Sequence, residues 1–185
     1  MADFLLSIWI DFIKALWILF PAYAANIFPP LAKGKHPIDG GRNWKDGNRI
    51  LGDGKTIEGT LYGIAMGTFY GGVEWYLSPT FNTYANVFGV QLPTMNLLVA
   101  FMIGLGTMAG DLSGSFIKRR LSLQRGESAP FLLDKINFIF GTIVFTAFLT
   151  EYTIGMIVVM LLITPVIHKL ANVGGYFLKF KREPW

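Results

Sequence analysis

Five long apolar stretches constrain the fold of this chain more than any other feature of its sequence. They cover approximately residues 4–28, 57–77, 94–112, 131–149 and 153–171. Each is close to the ~20 residues that a helix needs to cross the hydrocarbon core of a bilayer. A soluble domain carries about 25% charged residues, whereas this chain carries 15%. The sequence therefore predicts an all-α integral membrane protein, with five transmembrane helices in a single domain over residues 1–185.

The basic residues predict how these helices are oriented. Apart from Lys14, every Lys and Arg lies in or beside one of three segments: the loop between the first two stretches, the loop between the third and fourth, and the C-terminal end. Basic residues near membrane spans favour the cytoplasmic side. We therefore expect two long cytoplasmic loops, an external N-terminus, a cytoplasmic C-terminus, and a multi-pass protein of the cell membrane.

The first stretch could alternatively be a cleaved signal peptide, because Ala22-Tyr23-Ala24 is similar to a signal-peptidase site. A signal peptide begins with basic residues, whereas this chain begins with Asp3 and has no early Lys or Arg. Asp11 and Lys14 also interrupt the apolar region; at spacing i, i+3 they can pair on one helix face. We therefore interpret the first stretch as a permanent helix.

The segment GDGKT, residues 52–56, is similar to the end of a Walker phosphate-binding loop. That motif requires glycine at position 49, where this chain has Arg49, and it follows a buried strand that is missing here. A P-loop NTPase is therefore disfavoured. A simpler interpretation is a glycine-rich turn before a helix, with Thr56 as the N-cap. The chain has no cysteine, which excludes disulfides, zinc–thiolate sites and iron–sulfur clusters.

The first basic loop, residues 31–56, combines many glycines with Arg42, Arg49 and Lys55. Glycine lets the backbone approach a ligand closely, and successive backbone N–H groups in such turns form anion-binding concavities. This composition suits a polyphosphate attached to a nucleoside. A solvated linker on the cytoplasmic side accounts for the basic residues equally well.

Carboxylates lie at the cytoplasmic ends of two stretches. Asp111 ends the third and shares a helix face with Ser115 and Lys118, while Asp134 and Asn137 begin the fourth. A carboxylate near hydrocarbon is costly unless it is paired or bound to metal. Two carboxylates at one depth can share Mg²⁺, which prefers carboxylate and phosphate oxygens. Charge pairing with neighbouring Lys and Arg is the alternative.

A glycine-rich basic loop, a basic cluster and two carboxylates on one side suit an enzyme that joins a cytosolic nucleotide to a membrane lipid. A small transporter of an anionic solute is the main rival, because acidic residues in spans are typical of transporters. The polar residues nevertheless crowd one side and do not cross the midplane. A non-catalytic membrane subunit would leave the glycine-rich basic loop without a purpose.

The chain resembles the archaeal CDP-archaeol synthases, which are relatives of the CDP-diacylglycerol synthases, over nearly its whole length. The motifs that carry the resemblance are Pro21-Ala22-Tyr23, Asn26, Pro29-Pro30, PIDGGR (37–42), Asp46-Gly47, RILGDGKT (49–56), Gly59, GDLSGSFIKRR (110–120), Pro130, Leu133-Asp134-Lys135 and Phe138. The wider superfamily has an aspartate pair where this chain has Asp134 and Asn137, and its His-Gly-Gly element is absent. Asn137 thus replaces one carboxylate of that pair.

The resemblance implies a nucleotidyltransferase that joins CTP to 2,3-di-O-geranylgeranyl-sn-glycerol 1-phosphate, with Mg²⁺, to make CDP-archaeol and pyrophosphate for phospholipid biosynthesis. We predict catalytic roles for Asp111, Asp134 and Lys118, with Asp111 and Asp134 as metal ligands. The predicted CTP contacts are Arg42, Arg49, Gly52, Asp53, Gly54, Lys55, Thr56, Ser115 and Arg119. The predicted partners are CTP, the isoprenoid ether lipid phosphate and membrane lipids, without nucleic acid; the oligomeric state is left open.

Overall fold

Helices make up all the regular structure that the computed structural model describes, apart from two isolated antiparallel bridges in the first loop. The description covers residues 2–123 and 133–177, without the side chains of 2, 133–135, 168 and 171–177. The helices are α1 (Ala2–Ile27), a short 3₁₀ helix (Pro29–Ala32), α2 (Ile57–Val87), α3 (Leu97–Arg120), α4 (Leu133–Thr146) and α5 (Ile154–Phe177). The all-α prediction with five long helices is therefore confirmed for the described residues.

The helix ends follow local sequence signals. α1 ends at Ile27, just before Pro29-Pro30, because proline lacks the amide that would continue the helix. Thr56 caps α2 as predicted, since its hydroxyl accepts a hydrogen bond from the Gly59 amide at 3.1 Å. α2 is longer than its apolar stretch and continues to Val87, and α3 extends through the basic cluster to Arg120. Both helices are therefore longer than the apolar stretches within them, because polar residues also continue a helix that is already formed.

A row of glycines on α2 sets the spacing of the bundle. Gly59, Gly63, Gly67 and Gly71 recur every fourth residue and are buried. A Cβ at Gly67 would lie 2.9 Å from both the Cβ of Ala25 on α1 and the Cα of Gly104 on α3. Small residues at this spacing let the backbones of membrane helices approach closely. The row therefore brings α2 into contact with α1 and α3 together.

The glycines of α3 serve the same purpose on its other faces. Gly104 packs against the backbone of Ile64, and Gly106 packs against the backbone of Gly141 on α4. Between α3 and α4, the buried hydroxyls of Thr107 and Thr142 form a hydrogen bond of 2.8 Å. α3 is consequently the central helix, and it positions α2 and α4 around the end of the bundle that carries the first loop.

The apolar surface of the bundle is extensive. Many large apolar side chains are exposed, including Phe148 at 94% and Ile154 at 83%, which is typical of a surface that faces lipid. Among the residues that the structure describes, two helical segments are long and apolar enough to cross a membrane, Asp3–Ala32 and Leu97–Arg120. Ile136–Thr146 and Ile154–Ile167 are apolar but shorter. α2 is long enough to cross a membrane, but its glycines and polar residues make it less apolar than Asp3–Ala32 and Leu97–Arg120.

Candidate active site

The carboxylate of Asp39 organises the glycine-rich loop. Its side chain is fully buried and accepts a hydrogen bond of 2.6 Å from Arg49. It also accepts bonds from the amides of Gly41, Leu51 and Gly52 at 3.1, 2.9 and 2.8 Å. Burial alone would raise the pKa of Asp39, but these donors outweigh it and hold the pKa well below its usual range. Asp39 therefore closes the loop around one buried negative charge.

Arg49 and Gly52 belong to this loop framework. The guanidinium of Arg49 spans two carboxylates, because it also pairs with Asp53 at 2.6 Å. Gly52 has φ +93°, a backbone conformation that residues with a Cβ rarely adopt. A Cβ at this position would also lie 3.0 Å from the guanidinium of Arg119. A larger residue would therefore be disfavoured by both its backbone conformation and its contact with α3.

Two arginines at the end of α3 fasten the loop to the bundle. Arg120 pairs with Asp46 at 3.1 Å, donates to the carbonyl of Arg49 at 2.6 Å, and lies over the Phe116 ring at 4.9 Å. Arg119 donates to the carbonyl of Leu51 at 3.4 Å. Donation from a charged group strengthens such bonds. The basic cluster of α3 thus holds the loop in place and is not only a marker of membrane orientation.

A further ion pair, between the Lys55 ammonium and the Asp111 carboxylate, joins the end of the loop to the middle part of α3. Both side chains are partly exposed. Two polar cavities share these two residues. The pair therefore joins the sequence motif GDGKT to α3 and marks the border between the cavities.

The first cavity, of about 350 Å³, lies between the loop and the ends of α1 and α2. Its lining comprises Asn26, Pro29, Pro30, Lys33, Gly34, Asp53, Gly54, Lys55, Thr56, Gly59, Thr60, Met108 and Asp111. Four predicted CTP-contacting residues, 53–56, are together on this wall. Sequence reasoning did not identify Asn26 and Lys33 as site residues, although Asn26 was among the residues that carry the family resemblance.

The second cavity, of about 200 Å³, lies between α3 and α4. Asp111, Ser115 and Lys118 all line it, as their helical spacing predicted. Asn137 lines it from α4 and packs against Gly114, where a Cβ would lie 2.0 Å from its amide nitrogen. Asp134 lies one turn earlier in α4, but its side chain is outside the described residues. The cavity is therefore defined by polar groups from two facing helices.

The remaining predicted site residues lie elsewhere. Arg42 is exposed and lines neither cavity, and the side chains of Arg49 and Arg119 are bonded to protein groups. Glu58 pairs with His36 at the start of α2. For Arg42, Arg49, Gly52 and Arg119, as for the predicted residues that line the cavities, direct contact with CTP stays a prediction.

The second cavity has the donor chemistry that a magnesium ion requires. Asp111 contributes a carboxylate, Ser115 a hydroxyl and Asn137 an amide oxygen, which are the hard donors that Mg²⁺ prefers. Within residues 2–123 and 133–177, excluding the undescribed side chains, no group of three or more His, Cys, Asp or Glu could hold a metal. A divalent ion here would thus depend on few carboxylates, with the remaining positions left to phosphate oxygens or water.

Comparison with known proteins agrees with this arrangement. Residues 6–185 match the family model "CarS-like: CDP-archaeol synthase". The chain belongs to the CDP-archaeol synthase family. A CDP-archaeol synthase of Thermococcus gammatolerans is 44% identical, with 92% of this chain and 95% of the relative covered. One from Methanosarcina mazei is 41% identical, with 90% and 100% covered.

A solved structure also resembles this CDP-archaeol synthase family member in fold. It is described as "Structural insight into an intramembrane enzyme for archaeal membrane lipids biosynthesis". The two chains are 35% identical and superpose with a TM-score of 0.74, covering 87% of this chain and 94% of the other. Membership of the family and the fold of an intramembrane enzyme therefore agree.

Proposed function

We propose that this protein is a CDP-archaeol synthase that transfers the cytidylyl group of CTP to 2,3-di-O-geranylgeranyl-sn-glycerol 1-phosphate. An oxygen of the lipid phosphate forms a bond to the α-phosphorus of CTP. The bond from that phosphorus to the bridging oxygen breaks, and pyrophosphate leaves. The observation that carries this proposal is the sharing of Lys55 and Asp111 by two polar cavities.

The first cavity receives the nucleotide in this proposal. Its wall carries the backbone of Gly54 and the ammonium of Lys55, which together offer N–H donors and positive charge to phosphates. Lys33 adds a second ammonium. Because the loop is closed around Asp39, these donors are fixed before the nucleotide arrives, and little ordering is needed on binding.

The second cavity receives the reacting phosphates. Lys118 and Ser115 lie on its α3 wall, and Lys55 lies at its border. Negative charge accumulates on the leaving pyrophosphate, so cations held nearby stabilise the transition state more than the ground state. Positioning and charge stabilisation suffice for this transfer, and no covalent enzyme intermediate is required.

Asp111 and Asp134 would hold Mg²⁺ beside this cavity, with Asn137 as a nearby oxygen donor. The metal supplies Lewis-acid neutralisation of phosphate charge. The ammonium of Lys55 pairs with the carboxylate of Asp111. On CTP binding, Lys55 moves its charge from Asp111 to a phosphate, which frees the carboxylate.

The topology that suits this chemistry is five spans in one domain, with the N-terminus outside and both cavities open to the cytoplasm. One end of the bundle carries the basic loop, the C-terminal ends of α1 and α3, and the N-terminal ends of α2 and α4. Within residues 2–123 and 133–177, every Lys and Arg except Lys14 belongs to a segment at that end. The lipid phosphate enters between helices while its tails stay in hydrocarbon.

The test is an assay of the purified full-length chain in detergent with CTP, Mg²⁺ and the lipid phosphate. Pyrophosphate release that requires the lipid, together with a CDP-lipid product, is the expected result. CTP hydrolysis without lipid, or no turnover with any lipid phosphate, would contradict the proposal. Comparison of isoprenoid ether and acyl ester lipid phosphates of equal charge then measures the preference for the tail.

A further inference from the structure

A third polar cavity lies at the opposite end of the bundle and has no part in the proposed reaction. It occupies about 410 Å³ between α1, the segment before α3, and the connection between α4 and α5. Its lining comprises Lys14, Gln91, Leu92, Pro93, Thr94, Leu149, Thr150, Glu151, Thr153 and Met156. Along α3, the beginning of the helix is about 20 Å from Asp111 at 1.5 Å per residue. This end cavity is therefore separate from both nucleotide-end cavities.

Two polar groups of the end cavity lack partners within the described part of the chain. Thr150 is only 7% exposed, and its hydroxyl forms no hydrogen bond. Lys14 is half-buried in α1, and no hydrogen bond or ion pair joins it to another described residue. Its expected partner, Asp11, instead accepts a bond of 2.7 Å from Thr153, whose hydroxyl also caps α5 through the Met156 amide.

Unpartnered buried polar groups are uncommon, because their desolvation has no compensation. The lysine is the stronger case, since an ammonium along an otherwise apolar helix requires an anion or water. The Asp11 carboxylate one turn earlier is already bonded to Thr153 and closely surrounded, since a Cβ at Gly155 would lie 1.8 Å from its oxygen. Lys14 and Thr150 thus offer donors to something that enters the cavity.

The charges of the lining define what could enter. Lys14 and Glu151 are the charged residues of the cavity wall, one of each sign. A simple anion would be attracted by Lys14 but repelled by Glu151. A simple cation would be attracted by Glu151 but repelled by Lys14. A group that carries both charges satisfies both residues.

We propose that the end cavity binds a zwitterionic amino-phosphate group. Its phosphate accepts from Lys14 and from the Thr150 hydroxyl, and its primary ammonium donates to Glu151. A phosphoethanolamine-type lipid headgroup in the nearby leaflet and a free amino-phosphate share this chemistry. The proposal does not depend on the cytidylyl transfer, because none of its residues lines the nucleotide-end cavities.

The experiment is a titration of the detergent-purified full chain followed by native mass spectrometry. The probes are phosphatidylethanolamine, phosphatidylglycerol with identical chains, and soluble O-phosphoethanolamine. We expect phosphatidylethanolamine or O-phosphoethanolamine to bind at least tenfold more tightly than phosphatidylglycerol. Binding of the lipid alone identifies the leaflet as the source, whereas comparable binding of the soluble compound identifies a free ligand.

Three variants test the residues. Lys14→Met and Glu151→Gln should each weaken binding about tenfold or more, since each removes a charged hydrogen bond. Asp3→Asn, which removes a carboxylate outside the cavity near the same end, should leave binding unchanged. Glu151 is exposed in a loop, so its variant should fold even if the Lys14 variant does not.

Equal binding of the ethanolamine and glycerol lipids would overturn the proposal, and so would full binding by Glu151→Gln. Absence of binding by every probe would mean that only water fills the cavity, which also overturns it. CTP turnover of Glu151→Gln should equal that of the unmodified chain, so failure of this proposal and failure of the proposed enzyme activity are separate results.

Discussion

The ammonium of Lys55 pairs with the carboxylate of Asp111, although the two residues are 56 positions apart in the chain. Lys55 belongs to a glycine-rich loop and Asp111 to the central membrane helix. The pair neutralises one basic and one acidic group to which the proposed reaction assigns separate roles. We therefore expect its two members to have different functions once CTP and metal are bound.

Replacement of Asp111 with Asn should lower turnover at least ~100-fold, because an amide is a weaker and uncharged metal ligand. Steady-state rates measured over a range of Mg²⁺ concentrations check this, together with thermal unfolding to establish that the variant folds. Asp3→Asn, which removes an exposed carboxylate near the other end of the bundle, is the control. Near-normal turnover of Asp111→Asn at low Mg²⁺ would exclude this residue as a metal ligand.

Replacement of Lys55 or Lys118 with Ala should weaken CTP affinity about tenfold or more. Loss of one charged hydrogen bond costs ~1.5–3 kcal/mol. The measurement is CTP binding by equilibrium titration without the lipid substrate. Lys45→Ala removes an exposed lysine from the same loop and should change little. If the Lys45 variant loses as much affinity as the others, the loop attracts CTP only through its overall charge.

Replacement of Asp39 with Ala should disorder the loop while the helices remain folded. The change leaves the Arg49 guanidinium and the loop amides without their buried acceptor, at a local cost of ~3 kcal/mol. Hydrogen exchange of residues 37–56 should accelerate strongly, that of α3 should not, and CTP affinity should fall. Unchanged exchange in this segment would show that the loop is held by its contacts with α3 alone.

Acidification should loosen the same loop only at low pH. The pKa of Asp39 is lowered in the folded protein, so its stabilisation is complete above the unfolded-state pKa of about 3.9 and is lost as the pH falls towards the folded-state pKa. The protection of the loop amides against hydrogen exchange, corrected for intrinsic exchange rates, should therefore be constant from about pH 7 to pH 5. A loss of protection centred near pH 6 would indicate another titrating group.

Replacement of Gly67 with Ala should destabilise the bundle by ~1–3 kcal/mol, because the new methyl group meets α1 and α3 at once. Gly72 lies on the same helix with nothing within 4 Å of a Cβ, and Gly72→Ala should be neutral or slightly stabilising. Thermal unfolding of the two variants in one detergent provides the comparison. Equal unfolding temperatures for the two variants would mean that the glycine row does not determine helix spacing.

The sequence alone predicted the features that depend on near neighbours. Helix content follows from apolar stretches, the cap at Thr56 from its place before an apolar run, and the shared face of Asp111, Ser115 and Lys118 from the helical repeat. Family resemblance predicted nucleotide contacts for residues 52–56, and four of them, 53–56, line the first cavity. Helix ends were less predictable, because α2 and α3 continue through polar residues that no local signal stops.

Tertiary structure decided which charged groups meet. Asp39 and Arg49 could equally have been solvated loop residues, and only the folded loop places one fully buried carboxylate against that guanidinium and three amides. Asp11 and Lys14 have the spacing of a pair, yet α5 brings Thr153 to Asp11 and leaves Lys14 facing the end cavity. Spacing along a helix fixes which side chains share a face, but the partner of a charge is chosen by whichever element packs there, and that choice depends on contacts between residues far apart in the chain.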